Sequence, residues 1–407
     1  MSRTEDYKIH SANSIPWKLC KKAERIVIKL GTRSLIHEDR SFNDEIFRNL
    51  ALDISKLYSQ GKEIIIVSSG AVNAGVNALG LLKRPRDLHS LQAMAAVGNP
   101  ILMEQYKKYF TFCNLAQILV TQEDLSIRES YNNFKNTLKE IISRRIIPII
   151  NENDVVSVNE LRNRKDMQLN FTDNDILAGL ISASLKADLL LILSDVDGLY
   201  TKHPNSPYAD FVPYIPKITS EVINMAQTGN ELGRGGMISK IIAGQIMTYS
   251  GGTMVIGNAK TTRVKDILNG CEKCTFFAPR EDQKLRSKEI WLMFAANVKG
   301  NIFIDSGASR AIQNGASLLF NGITRFTGKF RKKDIVEIYE VKERDPSLTL
   351  KEHPENFELI ARARTRYSSE EMSRFEKMDK TKREKYFNEL NIREIISHEN
   401  MAFIENE

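Results

Sequence analysis

Three turns in this sequence are built from residues that suit an anion. Gly233-Arg234-Gly235-Gly236-Met237-Ile238-Ser239-Lys240 opens a helical run with glycines and reaches a lysine inside it. Glycines let backbone N–H groups approach a phosphate, and the lysine adds a point charge where negative charge develops. Ser68-Ser69-Gly70-Ala71-Val72 lies between an Ile/Val-rich run and a helical pattern, and Gly31 follows Lys29 at the end of another such run. Small residues there expose a helix N-terminus to an anion, although a tight strand–helix turn also needs glycine for its own geometry. There is no G-x-x-x-x-G-K-[ST] segment and no H-R-D or D-F-G triplet, which excludes P-loop and protein-kinase sites.

Two clusters mix acids with amides. Asn151-Glu152-Asn153-Asp154 follows the apolar run ending at Ile150, and Asp173-Asn174-Asp175 opens a helical pattern. One of the latter three suffices as an N-cap. The remaining carboxylates repel one another unless they meet lysines, a metal or a ligand's ammonium group. Cys271 and Cys274 form a single C-x-x-C with no second Cys or His pair nearby. Two thiols in a linker turn are expected rather than a zinc site.

The elements that must position these residues alternate regularly. Strands are expected at Arg25–Leu30, Glu63–Ser68, Gln117–Val120, Arg145–Ile150, Asp188–Leu193 and Thr253–Ile256. Helical spacing covers 44–59, 88–109, 129–144 and 174–186. Short continuous apolar runs between helices indicate an α/β fold, a doubly wound, mainly parallel sheet covered on both faces. Ligands of such sheets sit beyond the carboxyl ends of the strands. The small and polar residues gather at five strand ends there: Lys29-Leu30-Gly31-Thr32, Ser68-Ser69-Gly70, Thr121-Gln122-Glu123-Asp124, Asn151-Glu152-Asn153-Asp154 and Ser194-Asp195. After Thr275 the pattern becomes short strand candidates, Trp291–Phe294, Asn301–Ile304 and Asp334–Tyr339, separated by glycines, as in a small β-rich domain. A polar stretch at 279–289 reads as the linker, and the charged 376–407 as a C-terminal tail.

At 407 residues the chain suits two domains, and its 42% hydrophobic content can bury a sizeable core. The start lacks an apolar signal-peptide region, and no run approaches the ~20 apolar residues of a membrane helix. A cytoplasmic location and no membrane partner are expected. The net charge of +7 fits an anionic ligand or nucleic acid. Part of the excess lies in Lys329-Phe330-Arg331-Lys332-Lys333, Arg362, Arg364 and Arg366, either a binding patch or a solvated face.

Taken together, Val27-Ile28-Lys29-Leu30-Gly31-Thr32, Val67-Ser68-Ser69-Gly70-Ala71, Gln92-Ala93-Met94-Ala95-Ala96-Val97-Gly98, Pro148–Asp154, Asp173-Asn174-Asp175, Leu193–Tyr200 and Gly233–Met237 resemble the amino acid kinase family, in its branch acting on glutamate. Gly300-Asn301-Ile302-Phe303-Ile304-Asp305-Ser306-Gly307-Ala308, Gly315-Ala316-Ser317-Leu318-Leu319 and Gly328-Lys329-Phe330 resemble a PUA domain. The resemblance implies an N-terminal extension 1–23, a kinase domain 24–281, a PUA domain 287–375 and the tail 376–407. It implies ATP-dependent phosphorylation of the L-glutamate γ-carboxylate, an early step toward proline, with Mg²⁺ and a homo-oligomer. The alternatives are a sibling kinase of the family acting on a different acid, and RNA binding through the PUA-like region, which no RNA-modifying motif accompanies. By the same resemblance Lys29 and Lys240 flank the γ-phosphoryl group, Asp175 orients them, and no residue is assigned to metal. Ser69, Asp154, Asn174 and Asp173 match the substrate site. Lys29, Gly31, Ser194, Asp195 and the loop Arg234, Gly235, Gly236, Met237, Ile238, Ser239, Lys240 match the nucleotide site. Three departures stand out. The stretch 155–172 is long for the family, Thr172 stands before Asp173 where a glycine is usual, and Thr32-Arg33-Ser34 replaces a smaller typical pair and puts a cation near the nucleotide phosphates.

Overall fold

The computed structural model describes residues 15–157, 173–227, 236–281, 284–342, 349–390 and 393–404. The chain divides into two compact units, Met1–Ser287 and Lys288–Glu407. The first is built on one eight-stranded sheet. Its strands are β1 (Arg25–Leu30), β2 (Glu63–Ser68), β3 (Leu115–Val120), β4 (Ile147–Glu152), β5 (Leu189–Ser194), β6 (Tyr214–Ile215), β7 (Thr253–Asn258) and β8 (Cys274–Phe277). The spatial order is β3-β4-β2-β1-β5-β7-β8-β6. Neighbours from β3 across to β7 are parallel; β8 runs antiparallel to β7 and parallel to β6. The expected doubly wound, mainly parallel sheet is therefore present. Because β2 lies on one side of β1 and β5 on the other, a topological switch point opens between β1 and β5.

Among the helices of this unit are α1 (Asp44–Ser59), α2 (Ala71–Ala78), α3 (Leu88–Tyr109), α4 (Arg128–Ser143), α5 (Asn174–Leu185) and α6 (Met237–Tyr249). Strand alternation sorts the sheet's two faces. Ile26, Ile28 and Leu30 of β1 enter one core with Ile64, Ile66, Leu189 and Leu191, covered by Phe47, Leu50 and Ile54 of α1 and Tyr106 of α3. Val27 and Lys29 point to the opposite face, where α5 packs on β1, β2 and β5. A lysine thus becomes buried in a strand whose other polar residue, Arg25, stays half-buried at its start.

Cys271 and Cys274 form a disulfide instead of the two free thiols expected from the sequence, with Cα atoms 5.7 Å apart. Cys271 lies in the turn after the helix Val264–Asn269 and Cys274 opens β8, so the disulfide closes a tight turn inside the first unit and not in a linker.

The second unit carries β9 (Val298–Ile304), β10 (Ile323–Gly328), β11 (Ile335–Val341), β12 (Phe357–Arg364) and β13 (Met401–Phe403), ordered β10-β9-β11-β12-β13. Only β9 and β11 pair in parallel among these. Trp291–Ala295, read from sequence as a strand, is a π-helical turn closed by Ala296 N–H donating to the Trp291 carbonyl at 2.8 Å. All five side chains are buried, and a short, wholly apolar run does not reveal its period. The segment set apart as a tail is also integral to this unit. Glu394–Ile396 pairs with Leu318–Leu319, β13 pairs with β12, and Phe387, Ile395, Ile396 and Met401 enter its core with Ile302, Val336 and Phe375. Among the described residues no helix is long and apolar enough to cross a membrane.

The Ala96-Val97-Gly98 segment has a packing reason. A Cβ on Gly98 would collide with the Ala71 carbonyl oxygen, and one on Gly75 with the Met94 carbonyl oxygen. The α2 and α3 backbones therefore touch, and this contact fixes the turn Ser69-Gly70 that precedes α2. Gly70 has φ +108°, in the left-handed region where glycine is favoured. Gly98→Ala is expected to destabilise the first unit by about 3 kcal/mol, the scale of overpacking a tight contact. A urea midpoint equal to that of the unaltered chain would refute the assigned contact.

Candidate active site

A buried carboxylate shared by two lysines lies where β1 ends and α5 and α6 begin. Asp175 Oδ1 is 2.6 Å from Lys29 Nζ, and Asp175 Oδ2 is 2.8 Å from Lys240 Nζ. Ser239 Oγ also donates to Asp175 Oδ2 at 3.2 Å. Asp175 is 0% exposed, Lys29 6% and Lys240 4%. Local sequence brings them together. Asp173 caps α5, its Oδ1 accepting from the Asp175 N–H at 2.9 Å, which places Asp175 in the first turn. A Cβ on Gly179 would lie 3.0 Å from Ala243 Cα, so α5 and α6 approach closely there. Asp175 is four residues before Gly179 and Lys240 three before Ala243, each one turn back on the same helix face.

Burial alone would push the Asp175 carboxyl up, but the charges of Lys29 and Lys240 and their hydrogen bonds outweigh it and hold it far below the usual carboxylate range. For Lys240, burial lowers and the charges of Asp175 and Asp173 raise, and the net direction is up. Asp173 moves up, through burial first and then the charge of Asp175. The triad of two cations and one anion keeps one net positive charge in a nearly dry position.

Beside the triad runs a line of polar side chains. Asn174 Nδ2 donates to the Ser68 carbonyl at 3.0 Å, Ser69 Oγ at 2.8 Å and Asn151 Oδ1 at 3.0 Å. Asn151 Nδ2 reaches Asn99 Oδ1 at 3.5 Å, and Asn99 Nδ2 donates to the Ala95 carbonyl at 3.0 Å. On the other side, Gly31 N–H donates to the Leu193 carbonyl at 3.1 Å and ties the ends of β1 and β5 together. Ser194 Oγ donates to Asp195 Oδ1 at 3.1 Å. Gly236, the N-cap of α6, has no side chain with which to cap that helix, and it lines the same opening with Met237.

These groups line a cleft of about 820 Å³. Lys29, Gly31, Ser69, Asp154, Asp173, Asn174, Ser194, Asp195, Gly236, Met237 and Lys240 all face it, as their sequence context suggested. Asp175 and Ser239 lie beneath it as supports, and Ile238 does not line it. Arg234 and Gly235 lie outside the described residues, as does most of the long stretch 155–172. The cleft also includes residues given no site role from sequence, notably Asn73, Arg84, Asn151 and Tyr200. Asn151 was legible as the first member of the Asn-Glu-Asn-Asp cluster. Arg84 sits in the irregular turn between α2 and α3 and carries no local signal.

Asp175→Asn is expected to cost roughly 3–5 kcal/mol, because two buried ammonium groups lose their counter-charge. The pH dependence carries the sign. In the unaltered chain a depressed carboxyl and a raised lysine both contribute fully between about pH 5 and pH 9, so their contribution there is flat. In the variant a buried lysine is forced toward its neutral form, the unfolded chain binds more protons, and stability rises with pH. Urea midpoints measured from pH 6 to pH 9 distinguish the two. Parallel profiles would contradict the triad.

Comparison with known proteins agrees with this geometry. The amino acid kinase family matches residues 24–258, and the PUA domain matches residues 300–386. A glutamate 5-kinase of Thermoanaerobacter sp. (strain X514) is 35% identical over 387 residues, 94% of this chain and 98% of the relative. Glutamate 5-kinase 1 of Bacillus subtilis (strain 168) is 38% identical, covering 86% of this chain and 92% of the relative. That of Streptococcus pneumoniae (strain 70585) is 40% identical over 78% of this chain and 86% of its own. The chain belongs to the amino acid kinase family, among its glutamate 5-kinases, and carries a PUA domain.

Proposed function

We propose that this protein transfers the γ-phosphoryl group of ATP to the side-chain carboxylate of L-glutamate, giving glutamyl 5-phosphate for proline synthesis in the cytoplasm. The observation that carries the reading is the Lys29–Asp175–Lys240 triad at the head of a cleft that also presents Ser69 and Asn174. A carboxylate oxygen attacks the γ-phosphorus as the bond to the ADP oxygen breaks. Glutamate is already an anion, so no general base is needed. The obstacle is repulsion: two like charges ~4 Å apart cost about 4 kcal/mol at an effective dielectric of 20. Such a term is worth roughly a thousandfold in rate. Two lysines locked on one carboxylate are pre-positioned for the charge that spreads over the transferring oxygens.

Hydrogen-bond roles divide the acceptor side. Ser69 Oγ accepts from Asn174, so its own hydrogen remains to donate to a carboxylate. Asp154 lines the cleft as a carboxylate suited to the glutamate ammonium. Asn174 then acts as both contact and brace, holding Ser69 and Asn151 in place. A Mg²⁺ ion accompanying the nucleotide would supply charge that offsets the phosphates. Among the described residues no group of three or more His, Cys, Asp or Glu forms a protein cage, while Asp195 offers one carboxylate at the nucleotide end. That donor set fits an ion held chiefly by phosphates and water.

The reading is tested by glutamate-dependent ADP release with hydroxylamine trapping of the acyl phosphate. Hydroxamate should form with glutamate and not with aspartate or N-acetylglutamate; no hydroxamate from glutamate overturns it. Lys29→Ala and Lys240→Ala should each lower kcat by about 100-fold or more while the glutamate KM changes little. Ser69→Ala should instead raise the glutamate KM ~10-fold, the loss of one hydrogen bond to a charged group, and leave the ATP KM alone. Near-normal turnover in either lysine variant, or an unchanged glutamate KM in Ser69→Ala, would remove that residue from its role.

A further inference from the structure

The two lips of the switch-point cleft meet through one exposed ion pair. Arg33 stands in the short helix Thr32–Leu35 directly after β1, and Asp195 directly follows β5. Arg33 Nη1 lies 3.0 Å from Asp195 Oδ2, with the side chains 79% and 35% exposed, and both residues line the cleft beside Gly31 and Ser194. We infer that Arg33 is a phosphate-binding side chain parked on Asp195, and that it moves its hydrogen bonds to the polyphosphate of ATP when the nucleotide enters.

Charge balance motivates this. Lys29 and Lys240 share one carboxylate and leave one net positive charge at the triad, and Arg33 joins Arg84 and Lys202 among the further cations lining a cleft that must take a polyphosphate with several negative charges. They are also fixed in place by burial. Arg33 is the reverse case: an exposed ion pair contributes little, so exchanging its partner costs little. A guanidinium meets phosphate oxygens through two parallel hydrogen bonds, a stronger arrangement than its single contact with Asp195. Its Cα sits two residues beyond Gly31, whose N–H already ties β1 to β5 at the Leu193 carbonyl, so a long side chain there spans the cleft mouth. When Arg33 leaves, Asp195 keeps the Ser194 hydroxyl as a partner. The device rests on the ATP-dependent reading above and adds to it a discriminator of phosphate number.

Calorimetric binding of ATP and of AMP to the full chain, without glutamate, tests it. Arg33→Ser should weaken ATP ~10-fold, the scale of a lost charge-assisted hydrogen bond, with AMP binding and the thermal midpoint unchanged. Arg33→Lys should recover part of the ATP affinity, since it keeps the charge and loses the fork. ATP affinity equal to that of the unaltered chain in Arg33→Ser overturns the inference, and so does equal weakening of ATP and AMP, which marks a structural role. Failure of the unaltered chain to bind ATP overturns this and the proposed function together. Failure to form hydroxamate from glutamate, with the ATP-specific loss intact, overturns only the choice of acceptor.

Discussion

The first unit is organised around one expensive burial. A carboxylate removed from water is tolerated only with partners, and Asp175 has Lys29 on one oxygen and Lys240 with Ser239 on the other. The three charges come from a strand and two helices remote in sequence. Those elements must therefore arrive in one arrangement or leave an unpaired ion in the core. This ties β1, α5 and α6 together more specifically than apolar packing can, since hydrophobic contacts tolerate small shifts and a 2.6 Å ion pair does not. The close approach at Gly179 and Ala243 follows from the same requirement.

Around that centre, rigidity is graded. The lysines are fixed by burial, and the amide line from Asn99 through Asn151 to Asn174 is anchored on backbone carbonyls at both ends. The Arg33–Asp195 contact at the rim is exposed. Fixed charges suit the reacting centre, where reorganisation costs rate. A readily exchanged pair suits the entrance, where a ligand must displace whatever holds the door.

Legibility from sequence followed the same grading. The strands of the first sheet were readable because parallel strands buried on both faces are near-continuous apolar runs, and Lys29 was marked by the Gly31 turn that follows it and by the family resemblance. Their polar carboxyl ends marked the cleft, except Thr121-Gln122-Glu123-Asp124, which ends the edge strand β3 and does not line it. Contacts made by ordinary residues in irregular turns were not readable, Arg84 among them, and neither was the brace that Asn99 gives Asn151. Trp291–Ala295 was misread because five buried residues have no polar face to reveal a period. The cysteine pair was misread because spacing alone does not distinguish a closed turn from two thiols. The segment 376–407 read as a charged tail because its apolar residues are sparse, yet few are enough to finish a small sheet.

That last point bears on the order of events during synthesis. The first unit's sheet is complete once Phe277 has emerged from the ribosome, so its core can close while the rest of the chain is still being made. The second unit must wait. Its edge strand Met401–Phe403 covers Phe357–Arg364, and until then the backbone of β12 presents a row of open hydrogen-bonding groups. A nascent or nicked chain lacking those last residues would carry a finished catalytic unit attached to a sheet with one sticky edge.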